Sequence, residues 1–211
     1  MPRLLDYGDR GDLVIDGVCG VIRRKGLPGL SLRAVAAEVG ISPSTLLHQF
    51  TDRGRLLHVA AGRVGAARNR YLSFRAQHDG LHAFIPVSEL ELERARVCLA
   101  FGELARSDSD LGAVVAGLRA EQRDVLDWMT GRALDEPVLD ALLGLVDGVL
   151  AAMFLTEDPL TAERARAALT TCAHALRLPD RALPKSALPE SALPESALPE
   201  SEGEGPVTST S

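Results

Sequence analysis

Apolar residues recur every three or four positions through the first 179 residues, which is the period of an amphipathic α-helix. In residues 9–25, for example, Val14, Val18, Val21 and Ile22 share one side of such a helix. No segment alternates apolar and polar residues with the period of two that a half-buried strand shows. The pattern therefore predicts an all-α protein of about nine helices.

Hydroxyl, acidic, glycine and proline residues mark where these helices begin and end. Ser31, Ser42, Asp52 and Ser88 are candidate N-caps, whose side chains accept hydrogen bonds from the first turn. Gly40 closes the second helix. The predicted helices cover residues 9–25, 32–39, 43–50, 53–76, 89–106, 111–134, 136–155 and 160–178.

Residues 31–50, SLRAVAAEVGISPSTLLHQF, predict two short helices that meet across a tight turn. Gly40 suits the left-handed backbone that such a turn requires, and the small Ala36 lets the helices approach closely. Ile41 and Leu46 fill the space between them. This is the pattern of a helix-turn-helix, whose second helix enters the major groove of DNA.

The second helix of this motif begins with short hydroxyl side chains that suit DNA contact. Ser42, Ser44 and Thr45 can bond phosphates or base edges, and the free N–H groups of the first turn point the same way. The predicted DNA-contacting residues are Ser31, Arg33, Ser42, Pro43, Ser44, Thr45, Leu47, His48, Gln49 and Arg53.

Over about 45 residues, apolar, glycine and hydroxyl residues stand at positions that form a fairly specific pattern. They are Val14, Ile15, Val18, Val21, Ile22, Gly26, Ser31, Arg33, Val35, Ala36, Gly40, Ile41, Ser42, Thr45, Leu46, His48, Phe50 and Leu56. In this pattern residues 1–57 resemble the DNA-binding domain of the tetracycline-repressor (TetR) family. Leu47 departs from the tyrosine common in that family, Ser44 from a frequent glycine, and Arg53 from the usual lysine.

The charge around the motif is modest. Residues 31–57 carry three basic residues against two acidic ones, so we expect weak non-specific DNA binding with a shallow salt dependence. The chain as a whole has a net charge of −6, which argues against a protein coated in basic charge. Hydrophobic residues make up 46% of the chain, which excludes a wholly disordered protein.

Residues 58–179 match the layout of the C-terminal ligand-binding and dimerisation domain of the TetR family. The resemblance implies a homodimer that binds a palindromic operator, represses transcription and is released by a small-molecule effector. Residues 138–155 are apolar on nearly every side, so they predict either a dimer interface or a fully buried core helix. The predicted interface residues are Leu142, Val146, Val149, Leu150, Met153, Ala168 and Cys172.

Aromatic residues are scarce, at 4% of the chain, and most lie outside the helix-turn-helix domain. Their concentration there suggests a pocket for the effector, although ordinary core packing is the favoured explanation for any one of them. The candidate lining residues are Tyr71, Phe74, Phe84, Val97, Phe101, Trp128, Met129 and Phe154. Glu103, Arg75 and Arg106 are candidate polar anchors.

Residues 180–211 contain a five-residue repeat, ALPKS followed by three copies of ALPES, with a proline in each copy. Proline at this spacing stops helices and sheets from propagating, and six acidic residues stand against two basic ones. The segment predicts an extended acidic tail. The alternative interpretation is a ligand for a protein that recognises proline motifs.

Metal, cofactor and catalytic signatures are absent from the sequence. Cys19, Cys98 and Cys172 are far apart and predict reduced thiols, while His78 and His82 flank a loop and lack a third ligand. No nucleophile, metalloprotease or nucleotide-binding motif occurs. We expect no cofactor and no enzymatic activity, and a cytoplasmic protein, since no secretory segment is recognisable.

Two other functions fit parts of the sequence. The chain could be a helical enzyme or ligand-binding protein whose helix-turn-helix only packs, or an adaptor that dimerises and uses its acidic tail to hold a protein partner. A DNA-binding assay separates both from a transcriptional regulator.

Overall fold

The computed structural model describes residues 7–132, 134–154 and 157–184. These ranges contain no strand, which confirms the all-α prediction, and they hold eight α-helices and three short 3₁₀ segments. The α-helices are α1 (Tyr7–Lys25), α2 (Leu32–Glu38), α3 (Pro43–Phe50), α4 (Arg53–Asp79), α5 (Glu89–Leu104), α6 (Ser109–Thr130), α7 (Glu136–Phe154) and α8 (Ala162–Ala175). The 3₁₀ segments are Leu27–Gly29, Gly80–Phe84 and Asp180–Ala182.

Most helix boundaries fall within a few residues of the prediction, and the end of α6 and the start of α8 have local causes. α6 ends at Thr130 rather than near Leu134 because Gly131 adopts a left-handed conformation, with φ of 79°, at its C-cap. α8 begins after Thr161, whose side chain accepts the Arg164 N–H at 3.2 Å. It ends at Ala175, three residues before the predicted end.

The N-terminal core joins α1, α2 and α3 to the helices that follow. Val18, Val35 and Leu46 are fully buried in it, and so are Phe101 of α5 and Leu111 of α6. The domain predicted to end at residue 57 therefore shares its core with α5 and α6.

A second core fills the C-terminal part, where α4 and α6 pack closely side by side. A methyl group added at Gly65 would overlap the Leu118 side chain, so the helices approach at van der Waals distance. Beside this point the buried Asn69 amide donates to the Leu118 carbonyl at 2.9 Å and to the Glu121 carboxylate at 2.8 Å. Gln122 donates to the Asn69 side-chain oxygen at 2.9 Å, which completes the polar contact.

Arg75 connects α4 to the chain that leads into α5. Its side chain is 5% exposed, and its Nε donates to Asp79 at 2.7 Å. Nη1 donates to Glu91 at 2.6 Å and to the Ile85 carbonyl at 3.1 Å, and Nη2 to the His82 carbonyl at 3.3 Å. Burial alone would lower the pKa of Arg75, but the two carboxylates raise it, so the guanidinium stays charged.

The folded body extends beyond Pro179, where the sequence places the start of the tail. Ala182 is buried, and its carbonyl lies so close to Gly80 that a side chain at Gly80 would clash at 2.5 Å. The Arg181 Nε donates to the Met129 carbonyl at 2.9 Å. Residues 180–184 therefore pack on the body, and the repeats from residue 185 onward lie outside the described residues.

One face of α7 is packed inside the protomer, and the other is open. The predicted interface residues Leu142, Val146, Val149, Leu150 and Met153 are all buried in the chain's own core. An apolar helix has no sequence period that selects its inner face, and the larger side chains here occupy the core. A partner subunit can therefore reach only the opposite face of α7.

That open face consists of small residues. Ala141, Gly144 and Gly148 are exposed, and a side chain added at either glycine would meet nothing within 4 Å. Among the described residues, α7 is the one helix whose length and composition would allow it to cross a membrane. Its buried half packs on α8 and the C-terminal core, as in the core helix of a folded domain.

Candidate nucleic-acid interface

The helix-turn-helix is formed by α2, a short turn and α3. Gly40 has φ of 69°, a conformation that L side chains rarely adopt, and the Ile41 N–H returns to the Ala36 carbonyl at 3.0 Å. Behind it, α1 approaches so closely that a side chain at Gly17 would overlap the Val39 side chain. The turn geometry therefore depends on two glycines, and it fixes the angle between α2 and α3.

Ser42 caps α3 and organises a cluster of three hydroxyls at the tip of the helix. Its Oγ accepts the Thr45 N–H at 3.1 Å and lies 2.8 Å from both the Ser44 Oγ and the Thr45 Oγ1. Pro43 at the first helical position has no N–H, and the Leu46 N–H bonds to the Ser42 carbonyl. The Ser44 N–H is thus the first-turn donor left without an acceptor in the described part of the chain.

The number of hydroxyl protons in this cluster limits how many hydrogen bonds it can donate to DNA. A hydroxyl has one proton and two lone pairs, and one lone pair of Ser42 is already taken by the Thr45 N–H. Ser42 must therefore donate to one of Ser44 and Thr45 and accept from the other. One hydroxyl proton of the three remains free, alongside the Ser44 N–H, and both can bond phosphate or base acceptors.

One side of α3 is buried and the other is exposed, as a recognition helix requires. Leu46 and Phe50 are buried in the N-terminal core, while Ser44, Thr45 and His48 are exposed. Leu47 is 44% exposed, so it presents an apolar surface on the outer side. Gln49 lies in α3, but its side chain is outside the described part of the structure.

The remaining predicted DNA contacts surround α3. Ser31 caps α2 by accepting the Ala34 N–H at 3.1 Å, and Arg33 is exposed on the first turn of that helix. Asp52 caps α4 by accepting the Arg55 N–H at 2.8 Å, which exposes Arg53 at the start of α4. Nine of the ten predicted DNA-contacting side chains are described, and all nine are at the surface.

The predicted ligand-binding residues do not converge on one cavity. Trp128 is 46% exposed under the Arg181 guanidinium, and Phe74 is exposed beside His78. Phe154 is half-buried with the Arg96 guanidinium 5.3 Å from its ring centroid. Of the other candidates, Phe101 and Val97 belong to the N-terminal core and Met129 to the C-terminal core.

A cleft open to solvent lies between α4 and α5 and takes in two of the aromatic candidates, Tyr71 and Phe84. Its walls include Arg68, Tyr71, Leu72, Phe84, Pro86, Glu91 and Arg94. Of the proposed polar anchors, Arg75 is committed to its own ion pairs, and Glu103 and Arg106 pair with each other at the surface. Sequence reasoning missed Arg68 and Arg94, because only the packing of α4 against α5 brings them together.

An exposed, capped helix of this kind, held by two others through a glycine turn, defines a helix-turn-helix DNA-binding protein. Residues 14–60 match the family model described as bacterial regulatory proteins, tetR family. The HTH-type transcriptional regulator PksA of Bacillus subtilis (strain 168) is 25% identical over 182 aligned residues, covering 79% of this chain and 88% of PksA. Residues 14–60 thus carry the DNA-binding domain of the tetR family, and the chain resembles a transcriptional regulator of that family over most of its length.

Solved structures share the whole fold. A TetR-family regulator from Rhodococcus sp. superposes with a TM-score of 0.64 at 23% identity, covering 79% of this chain and 97% of that one. The multidrug binding protein EbrR complexed with proflavin superposes with a TM-score of 0.56 at 24% identity, covering 77% and 98%. At these identities the likeness concerns the fold.

Replacing Ser42 with alanine is expected to destabilise the protein by about 0.5–2 kcal/mol, because the cap of α3 and the bonds to Ser44 and Thr45 are lost together. The matched variant Ser44→Ala removes an exposed hydroxyl that caps nothing and should change stability by less than about 0.5 kcal/mol. Urea unfolding at one protein concentration measures both. Equal losses in the two variants would contradict the capping role of Ser42.

Proposed function

We propose that the chain is a repressor that binds a palindromic operator as a homodimer in the cytoplasm and is released by a small-molecule effector. The observation that carries the proposal is the hydroxyl cluster at the exposed tip of α3, with one hydroxyl proton and the Ser44 N–H unused. These donors are too few to hold DNA tightly from one subunit, so two copies acting together are expected to provide the affinity.

The open face formed by α7 and α8 supports the dimer. On α7 it consists of Ala141, Gly144 and Gly148, and on α8 the neighbouring Ala167 and Thr171 are exposed. Small side chains at helical spacing let helices of two subunits approach closely, so that a four-helix interface can form about a two-fold axis. Ala168 and Cys172, predicted for this interface, are half-buried on α8 beside it.

A two-fold axis through these helices would give the dimer two α3 helices related by symmetry. Half-sites about 34–36 Å apart place two such helices in successive major grooves on one face of the duplex. An operator recognised in this way has the same two-fold symmetry as the protein, and is therefore palindromic.

Effector release follows from the core that the helix-turn-helix shares with α5 and α6. A molecule bound between α4 and α5 would shift helices that contact α1 and α3 directly, and so change the separation of the two recognition helices. The coupling needed is about 1–3 kcal/mol, or about 5- to 150-fold in operator affinity. EbrR, which shares this fold, was solved as a complex with proflavin.

Placing an arginine at Gly148 should abolish the dimer, because the long charged side chain would stand where the two α7 helices meet. Gly117→Arg is the matched control, since Gly117 is also an exposed helical glycine with nothing within 4 Å, but on α6. Sedimentation equilibrium should give a monomer for the first variant and a dimer for the second. A dimer of normal stability in both would exclude α7 from the interface.

The proposed function is tested by recovering DNA bound to the chain from a library of genomic fragments. The proposal predicts enrichment of a palindromic sequence upstream of a gene, with transcription of that gene rising when the regulator is deleted. Recovery of no preferred sequence would contradict DNA recognition. A fall in transcription after deletion would show that the regulator activates the gene and does not repress it.

A further inference from the structure

The cleft between α4 and α5 contains two arginines that have no partner within the described part of the chain. Arg68 of α4 and Arg94 of α5 are half-buried and line the cleft from its two sides. Neither makes an ion pair or side-chain hydrogen bond with a described residue. By contrast, Arg75, which pairs with Glu91 of the cleft wall, is paired with two carboxylates.

The one carboxylate of the cleft wall is already committed. One oxygen of Glu91 accepts the Arg75 Nη1 at 2.6 Å, and the other accepts the N–H groups of Val87 and Ser88 at 3.0 and 2.9 Å. Glu91 shares the single positive charge of Arg75 with Asp79, and one of its oxygens is used by the capping box of α5. Its hydrogen bonds go to Arg75 and to the start of α5 rather than to Arg68 or Arg94.

The guanidinium groups of Arg68 and Arg94 both influence the pKa of the same neighbouring thiol, Cys98. Burial raises the pKa of the Cys98 thiol, and both Arg68 and Arg94 oppose that rise, so both lie near Cys98. Arg94 also acts on the Tyr71 hydroxyl, whose pKa is raised by burial and by Glu91. Tyr71 thus keeps its proton at neutral pH and can donate a hydrogen bond into the cleft.

Two like charges close together in a half-buried cleft repel each other, and an anion placed between them removes that repulsion. The planar guanidinium groups match the two oxygens of a carboxylate or the oxygens of a phosphate. Below them, Leu72, Phe84 and Pro86 form an apolar wall.

We infer that this cleft binds a small organic anion, with its oxyanion headgroup between Arg68 and Arg94 beside Tyr71 and its apolar body against Leu72 and Phe84. The inference rests on the proposed function in that it names the chemical class of the effector. It is tested on the DNA-free protein, so that its outcome does not depend on the operator.

The test is calorimetric titration of the full chain with straight-chain and phenyl-substituted carboxylic acids, butyrate to dodecanoate, with the amide of each acid and the matching alkyl phosphates. At least one acid or phosphate should bind, and its neutral amide should bind at least about tenfold more weakly. Arg68→Gln and Arg94→Gln should each raise the dissociation constant about tenfold or more. Arg70→Gln, on an exposed arginine of α4 outside the cleft, should leave it unchanged.

Three results would overturn the inference: no binding by any acid or phosphate, equal binding of an acid and its amide, or full affinity in both cleft variants. Binding of phosphates alone would restrict the headgroup to phosphate. Without ligand, Arg94→Gln should unfold at the same temperature as the natural chain or higher, because a repulsion is relieved, whereas a structural role predicts a lower temperature.

Failure of this inference is distinguishable from failure of the proposed function. If an acid binds but operator affinity stays the same in its presence, the cleft assignment stands and release by this effector is wrong. If operator DNA binds and no anion does, the proposed DNA-binding function is upheld and the assignment of the cleft as an anion site is wrong.

Discussion

Replacing Thr45 with glutamate should lower the affinity for operator DNA by about a hundredfold or more while leaving the fold intact. Thr45 is exposed on the first turn of α3, within the hydroxyl cluster. A carboxylate there would face the phosphates, and placing like charges together across an interface costs several kcal/mol. Titration of labelled operator DNA in a gel shift measures the loss.

The same substitution should leave α3 as stable as before or stabilise it. Ser42 is the N-cap and Thr45 the third helical position, so glutamate there completes a capping box. The chain already uses this arrangement at Ser88 and Glu91, where α5 begins. Because the helix is preserved, a loss of DNA binding cannot be attributed to unfolding.

Thr45→Gln is the matched control, since glutamine has the same size and capping geometry without the charge. It should bind operator DNA clearly better than Thr45→Glu. If both variants bind like the natural chain, α3 is not the recognition helix. If both lose binding equally, the cause is the lost hydroxyl or the added bulk rather than charge.

Replacing Arg75 with methionine should destabilise the protein by about 3–5 kcal/mol, the largest effect on stability expected of a single substitution outside the apolar cores. The guanidinium makes four hydrogen bonds, to Asp79, Glu91 and the carbonyls of His82 and Ile85. Methionine fills a similar volume but leaves Glu91, which is 11% exposed, without its counter-ion. Urea unfolding at one protein concentration measures the loss, because the stability of a dimer depends on concentration.

Two further variants show whether the buried charge is the cause. Arg106→Met removes an arginine whose pair with Glu103 is largely exposed, and should cost less than about 1 kcal/mol. Adding Glu91→Gln to Arg75→Met should restore part of the lost stability, because the uncompensated carboxylate is gone while the cap of α5 can still form. A loss below about 1 kcal/mol in Arg75→Met would contradict the role given to the network.

The helix-turn-helix could be predicted from sequence because its determinants are local. Ser31, Ser42 and Asp52 cap the three helices that they were predicted to begin, and Gly40 takes the left-handed conformation expected of it. Caps and turns depend on residues within four positions of each other, so a single sequence contains the whole signal. Gly131 is the same kind of local signal for the end of α6, but the predicted helix continued beyond it to residue 134.

The inner face of α7 could not be predicted for the opposite reason. Its residues are apolar all round, so periodicity gives no preferred side, and burial by a partner looks the same in sequence as burial in the core. The difference between large and small side chains is the signal that was available: Leu142 and Val146 lie inside, and Gly144 and Gly148 outside.

The cleft was also beyond a reading of the sequence alone. Because aromatic residues are scarce, Trp128 and Phe101 were among the predicted pocket residues. In the structure Trp128 lies at the surface and Phe101 lies in the N-terminal core. Arg68 and Arg94 stand on different helices, 26 positions apart, and nothing local marks them as unpaired. Pairing of charges is a property of the packed helices, which only the structure supplies.

The most direct test of the account is a hydroxyl-radical footprint of the dimer on the operator it selects. Two equal patches of protected sugars are expected on the backbone that flanks successive major grooves, about 10–10.5 base pairs apart and related by a two-fold axis. Gly117→Arg should keep both patches and Thr45→Glu should lose both. A single patch, or protection that survives in Thr45→Glu, would contradict reading of DNA by paired α3 helices.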